Sequence, residues 1–180
     1  MSKVWKIFKY AFICAAFCGV AGLLLSLTYE QVELRRSAYQ QKQEEASLKT
    51  LIPGTEIIER QTVAAGQSYY LAYNTAGQLQ GYALKVSTRG YSSDIEMLLG
   101  LDTDFAITGF EVLSQAETPG LGSKITEPRF SARLLGRLAL GLRLNKDGGE
   151  IDALTGATIT SRAVINSLRQ AATSLKSVLE

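Results

Sequence analysis

Asp152-Ala-Leu-Thr-Gly-Ala-Thr-Ile-Thr-Ser161 stands immediately ahead of a C-terminal run in which Val164, Ile165, Leu168, Ala172 and Leu175 recur at helical spacing. That recurrence predicts an amphipathic helix closing the chain. Four of the ten residues in the preceding stretch carry hydroxyls, and Gly156 lets the backbone turn tightly. Thr158, Thr160 and Ser161 are each suited to cap the helix, because a hydroxyl oxygen accepts from the free N–H groups of the first turn. The same free N–H groups and the positive end of the helix dipole also suit a phosphate. Two readings follow: a polar cap, or the seat of a phosphate-bearing group.

Upstream of this stretch the pattern is that of strands. Ser68–Tyr73 and Leu79–Thr88 are rich in Tyr, Leu and Val and flank Asn74-Thr-Ala-Gly77, a turn signal that predicts a hairpin. A second pair, Ile95–Leu101 and Phe105–Leu113, is expected across Asp102-Thr-Asp104. The Gly-rich segment Glu117-Thr-Pro-Gly-Leu-Gly122 follows, and its bare reading is a type II turn with Pro-Gly at the centre. Residues 129–143 are rich in Leu and Arg and are read as a short helix, followed by a turn at Asp147-Gly-Gly149. The fold class is therefore α+β, antiparallel strands with packed helices.

The N-terminal end is of a different kind. Twenty residues without a formal charge, Tyr10 to Tyr29, match the thickness of a hydrocarbon core and predict a single transmembrane helix. Trp5, Phe8, Tyr10 and Tyr29 flank it as interfacial aromatics, and Lys3, Lys6 and Lys9 place its N-terminal side in the cytoplasm. A cleaved signal peptide is the alternative, but the apolar run is long for one and lacks a fitting cleavage site. The expected organisation is a cytoplasmic N-terminus over residues 1–9, a membrane helix over 10–29, a polar helical stalk over 30–54 ending near Pro53-Gly54, and a domain over 55–180 facing the periplasm of a bacterial inner membrane.

Composition excludes several chemistries. There is no histidine, which removes the usual general base of a Ser or Thr hydrolase and the commonest metal ligand. Cys14 and Cys18, both in the apolar run, are the only cysteines, so a disulfide framework is excluded and iron–sulfur ligation is not expected. Without the three N-terminal lysines, sixteen basic residues stand against seventeen acidic ones, and no basic face calls for nucleic acid. No dinucleotide-type GxGxxG follows a strand.

Asp152-x-x-Thr155-Gly156-Ala157-Thr158 resembles the acceptor motif of flavin transferases, in which FMN is joined by a phosphoester to the final threonine. Glu117-Thr-Pro-Gly-Leu-Gly122 resembles the flavin-cradling loop of the same proteins, and Gly90-Tyr-Ser-Ser-Asp94 their glycine–aromatic turn. With the single anchor, the chain is similar to the G subunits of Rnf-type complexes, FMN-binding proteins related to the C subunits of sodium-pumping NADH:quinone reductases. The resemblance implies an electron-carrying component of a complex that couples ferredoxin–NAD-type electron flow to ion translocation. It implies no independent catalysis by this chain. It also implies partners: other membrane subunits, a flavin transferase and the lipid bilayer. A component of a sodium-pumping quinone reductase, or an anchored scaffold without flavin, stand as alternatives.

By the same resemblance Thr158 carries FMN. Asp152 and Thr155 are read by the modifying enzyme or hold the turn, and Gly156 and Ala157 leave room for enzyme and phosphate. Thr118 and Leu121 contact the flavin ring, while Gly120 and Gly122 permit close approach. Glu117 is part of the loop motif or a charge at its end. Lys124 pairs with phosphate or a flavin oxygen, or is an exposed surface lysine. Tyr91 stacks near the flavin or simply packs.

Overall fold

The computed structural model describes residues 5, 7–23, 26, 29, 47, 48, 50–62 and 68–179. The chain divides into two units, Met1–Gln43 and Glu44–Glu180. In the first, residues 7–23 are helical and their side chains are exposed. No helix among the described residues is long and apolar enough to cross a membrane. The span expected over 10–29 and the stalk expected over 30–54 both lie partly outside the described residues.

The second unit is built on a five-stranded antiparallel meander. Strands β1 (Ile57–Thr62), β2 (Ser68–Tyr73), β3 (Leu79–Arg89), β4 (Asp94–Asp102) and β5 (Ile107–Ser114) lie side by side in chain order. Both expected hairpins are present, and β1 is a strand that the sequence pattern did not announce. Two of the connections are fixed by their own side chains. Asn74 Oδ1 accepts from the Ala76 and Gln78 amides, each at 2.9 Å, and closes the β2–β3 turn. Asp102 Oδ1 accepts from Asp104 N at 2.9 Å and Ala106 N at 2.8 Å. Phe105 therefore belongs to the β4–β5 turn and not to the strand, with a φ of 64° that is unusual for a bulky residue.

Alternation along the strands gives the sheet two buried faces. On one, Tyr82, Leu84 and Val86 of β3 and Ile95, Met97, Leu99 and Leu101 of β4 meet the C-terminal helix. The expectation for 129–143 is corrected here: only Pro128–Ser131, labelled α1, is α-helical, and turns and a 3-10 turn at Ala139–Gly141 carry the rest. Gly136, with a φ of 73°, interrupts any longer helix. The C-terminal helix, α2, runs Thr158–Leu179 and buries Val164, Ile165, Leu168, Ala171, Ala172 and Leu175. Its apolar stripe is the expected one.

The opposite face is covered by the segment around residues 47–52. Leu48, Leu51 and Ile52 are buried there against Ala72, Ala83 and Leu98. A solvated stalk reaching as far as residue 54 does not describe this segment, because its apolar side chains complete the core. The contact depends on a cross-strand pair of glycines, Gly100 of β4 opposite Gly109 of β5. A Cβ on Gly109 would lie 2.6 Å from Leu51 Cδ2 and 2.7 Å from the Leu51 carbonyl oxygen. The bare backbone of the pair is thus the floor on which Leu51 rests.

A Gly109→Ala substitution is expected to lower unfolding stability by about 1–3 kcal/mol, since the Leu51 backbone must move to admit a methyl group. Gly141→Ala, at a position with open space around it, is expected to stay within about 0.5 kcal/mol of the parent. Urea denaturation measures both, and equal stability of the two variants would contradict the floor assigned to Gly109.

Candidate functional site

Three separate pieces of chain meet at the N-terminal end of α2: the β3–β4 turn at residues 90–93, the 117–122 loop, and the start of the helix itself. What joins them is the carboxylate of Glu117, only 5% exposed. Its Oε1 accepts from Ser92 N and Ser93 N, each at 2.9 Å, and Oε2 from Tyr91 N at 3.2 Å. The Thr160 hydroxyl donates to Oε2 at 2.6 Å. The glycines on either side are dictated by this group. A Cβ on Gly90 would lie 2.6 Å from Oε1, and one on Gly122 2.6 Å from Oε2.

Burial alone would raise the Glu117 pKa. The Thr160 hydroxyl and the amides of Ser93, Ser92 and Tyr91 outweigh it and hold the value down to about 2, from an ordinary 4.5. A buried anion is kept charged here by hydrogen-bond donors, with no cation paired to it among the described salt bridges.

The helix start is locked by a second set of bonds. Ser161 Oγ accepts from Leu154 N and donates to the Ala157 carbonyl, both at 3.0 Å. Thr160 and Ser161 are buried, and their hydroxyls point back into the protein. Neither caps the helix as the sequence pattern suggested, because each hydroxyl is committed elsewhere. Thr158 differs: it is half-buried, and its Oγ1 lies 3.5 Å from Lys146 Nζ.

Two clefts open on either side of this point. The first, about 440 Å³, is lined by Tyr91, Glu117, Thr118, Leu121, Gly122 and residues 156–160. Its walls include no lysine or arginine, and Tyr91, Leu121 and Ile159 are exposed apolar groups at 67%, 42% and 55%. The second, about 650 Å³, runs along Arg133, Asn145, Lys146, Asp152 and Thr155. Gly156 and Thr158 belong to both. Gly156 has a φ of 77°, and a Cβ on it would meet Leu121 Cδ2 at 2.8 Å. A side chain at 156 would therefore intrude on the wall of the first cleft.

Most of the residues singled out from the sequence are gathered here. Thr118, Leu121, Gly122, Ala157 and Tyr91 line the first cleft, and Asp152 and Thr155 the second. Gly120 lies instead at the crest of the loop, in the turn closed by the Leu121 amide on the Thr118 carbonyl at 3.1 Å, with a φ of 76°. Lys124 is exposed and lines neither cleft. Glu117 lines the first cleft, but its carboxylate is spent on the protein's own donors. Arg133 and Lys146 were not singled out, since isolated basic residues in a polar stretch carry no local signature.

The volume of the first cleft is in the range of small-molecule sites. The apolar surfaces of Tyr91, Leu121 and Ile159, the absence of a lysine or arginine from its described walls and the bare backbone at Gly156 suit a flat, uncharged ring system. The comparisons agree with that chemistry. The FMN-binding domain family matches residues 90–173. The chain is 32% identical over 179 residues to the G subunit of the ion-translocating oxidoreductase complex of Methanosarcina acetivorans, covering 95% of each chain. It is 34% identical over 185 residues to the G subunit of the complex of the same name from Aliivibrio fischeri, covering 91% of this chain and 87% of that one. Among solved structures, the C subunit of the sodium-translocating NADH-quinone reductase from Parabacteroides distasonis shares the fold. Its TM-score is 0.55 at 23% identity, over 76% of this chain and 82% of that one. These likenesses define the chain first as an FMN-binding-domain protein. It belongs to the family of G subunits of ion-translocating oxidoreductase complexes.

Because the Glu117 pKa is depressed in the folded state, its contribution to stability is present above about pH 4.5 and is lost as pH falls toward about 2. That contribution is on the order of 3 kcal/mol. A Glu117→Gln variant is expected to be less stable at neutral pH and to lack this acid-dependent loss. Urea midpoints measured across the acid range test it, and parallel profiles for parent and variant would contradict the role given to the carboxylate.

Proposed function

We propose that the chain is the electron-carrying component of a membrane complex that couples ferredoxin–NAD-type electron transfer to ion translocation, and that it holds FMN through a phosphoester at Thr158. Membership of the G-subunit family makes it a redox component of an oxidoreductase complex. The observation that carries the attachment point is the position of Thr158. Of the hydroxyls in the 152–161 stretch, Thr160 and Ser161 are buried and committed to internal bonds. Thr155 borders only the second cleft, and Thr158 alone borders both.

In this reading each residue has a physical task. Leu121 and Tyr91 present apolar surface to the ring, and Thr118 offers a hydroxyl at the same wall. Gly156 keeps the backbone bare where ring and phosphate meet. Glu117 touches the cofactor only through the residues it positions, fixing the 90–93 turn against the helix start. The flavin, when bound, supplies the electron-carrying chemistry, and the protein supplies orientation and exclusion of water. A covalent link prevents loss of a cofactor on a side of the membrane where no pool replenishes it.

The apolar N-terminal run, residues 10–29, serves as the membrane anchor with Lys3, Lys6 and Lys9 on the cytoplasmic side, so the FMN-binding domain faces the periplasm. A flavin transferase attaches the cofactor there, reading Asp152 and Thr155, which are both exposed. Other membrane subunits of the complex supply the donor and acceptor.

Co-expression with a flavin transferase, followed by denaturation, in-gel fluorescence and intact-mass measurement, tests the assignment. The parent and Thr158→Ser are expected to retain flavin, and Thr158→Ala to lose it entirely. Retention by Thr158→Ala would overturn the site, and an unmodified parent beside an active transferase would favour a scaffold without flavin. For topology, a C-terminal reporter active only in the cytoplasm would contradict the orientation.

A further inference from the structure

The two clefts flanking Thr158 differ in charge, and the difference assigns them different parts of one ligand. Two basic side chains near the site are neutralised: Arg137 pairs with Glu150, and Arg162 with Asp147 at 2.8 Å. Arg133 and Lys146 are not. Arg133 donates to a neutral acceptor, the Asp152 carbonyl, at 2.7 Å. Lys146 reaches only the Thr158 hydroxyl at 3.5 Å, and neither residue has a carboxylate partner in the described salt bridges. Both line the second cleft, with Asn145 beside them. Among the described residues lining that cleft the only carboxylate is Asp152, whose Oδ1 is engaged by Asn145 Nδ2 at 3.2 Å. Two cations against one anion leave the cleft with one unit of positive charge at the lip where Thr158 stands.

We propose that this second cleft is the phosphate subsite, with Lys146 and Arg133 holding the phosphoryl group joined to Thr158 while the first cleft holds the ring. The proposal rests on the flavin reading above. A phosphodiester carries a single negative charge, which the surplus charge of the cleft matches. Charge-assisted bonds of this kind are the stronger class. Lys124, the basic residue nearest the loop in sequence, lies outside both clefts and has no part in it.

The test uses the full-length chain in detergent with Thr158→Ala, so that no covalent link forms, and compares free FMN with riboflavin by quenching of flavin fluorescence. The two ligands share the ring and differ in the phosphate. FMN is expected to bind at least about tenfold more tightly, and the preference is expected to shrink as salt is raised. Adding Lys146→Gln and Arg133→Gln is expected to bring the ratio of the two affinities close to one, with riboflavin affinity reporting that the ring cleft is intact. Adding Lys146→Arg instead should keep the preference. Equal binding of FMN and riboflavin before the basic residues are changed would overturn the phosphate subsite and leave the flavin reading standing, as would a preference that survives the double change. Binding of neither ligand would overturn the subsite too, while the covalent attachment is decided separately by the flavin-transferase experiment.

Discussion

A buried carboxylate that stays ionised with no cation paired to it among the described residues governs the architecture of this domain. Glu117 gathers the amides of residues 91–93 and the hydroxyl of Thr160, so the β3–β4 turn, the Gly-rich loop and the first turn of α2 are all referenced to one anion. A protonated carboxyl could accept fewer of these bonds and would have to donate into a set of donors. The requirement propagates into the sequence: Gly90 and Gly122 lack side chains because the carboxylate occupies the space where a Cβ would go. Glycines that look like flexibility in the chain are, at these two positions, clearance for a charge.

How legible each part was in the sequence follows from where its determinants lie. The β2–β3 and β4–β5 turns could be placed because Asn74 and Asp102 bond amides within a few residues of themselves. The stripe of α2 could be placed because its period is local. The β3–β4 turn was recognisable at Gly90–Asp94 by resemblance, but the glutamate that holds it lies 24–26 residues away, beyond the reach of any local pattern. The floor at Gly100 and Gly109 was hidden likewise: it makes sense only once Leu51, from before the first strand, lies on it. In residues 129–143, abundant Leu suggested a helix, but Gly136 and the short-range bonds of a winding segment prevailed.

The candidate site shows the same division. The Asp152–Thr158 motif and the 117–122 loop were recognisable as strings, and the fold brings them to one place. What the strings did not reveal is the partition between a cleft without lysine or arginine and one that carries Arg133 and Lys146, with Thr158 bordering both. Nor did they show which hydroxyls are spent on the protein itself. Three of the candidate hydroxyls become inequivalent through burial and hydrogen bonding alone, which places Thr160 and Ser161 among the structural elements.

The pair Gly100 and Gly109 bears on where this domain starts. Leu48, Leu51 and Ile52 cover Ala72, Ala83 and Leu98 on the sheet face away from α2. A recombinant fragment beginning at Thr55, just ahead of the first strand, would bare that face and offer neighbouring molecules a sticky apolar plane. The segment that reads as a leash is therefore the lid of a second, smaller core, and a soluble version of the domain must carry it along.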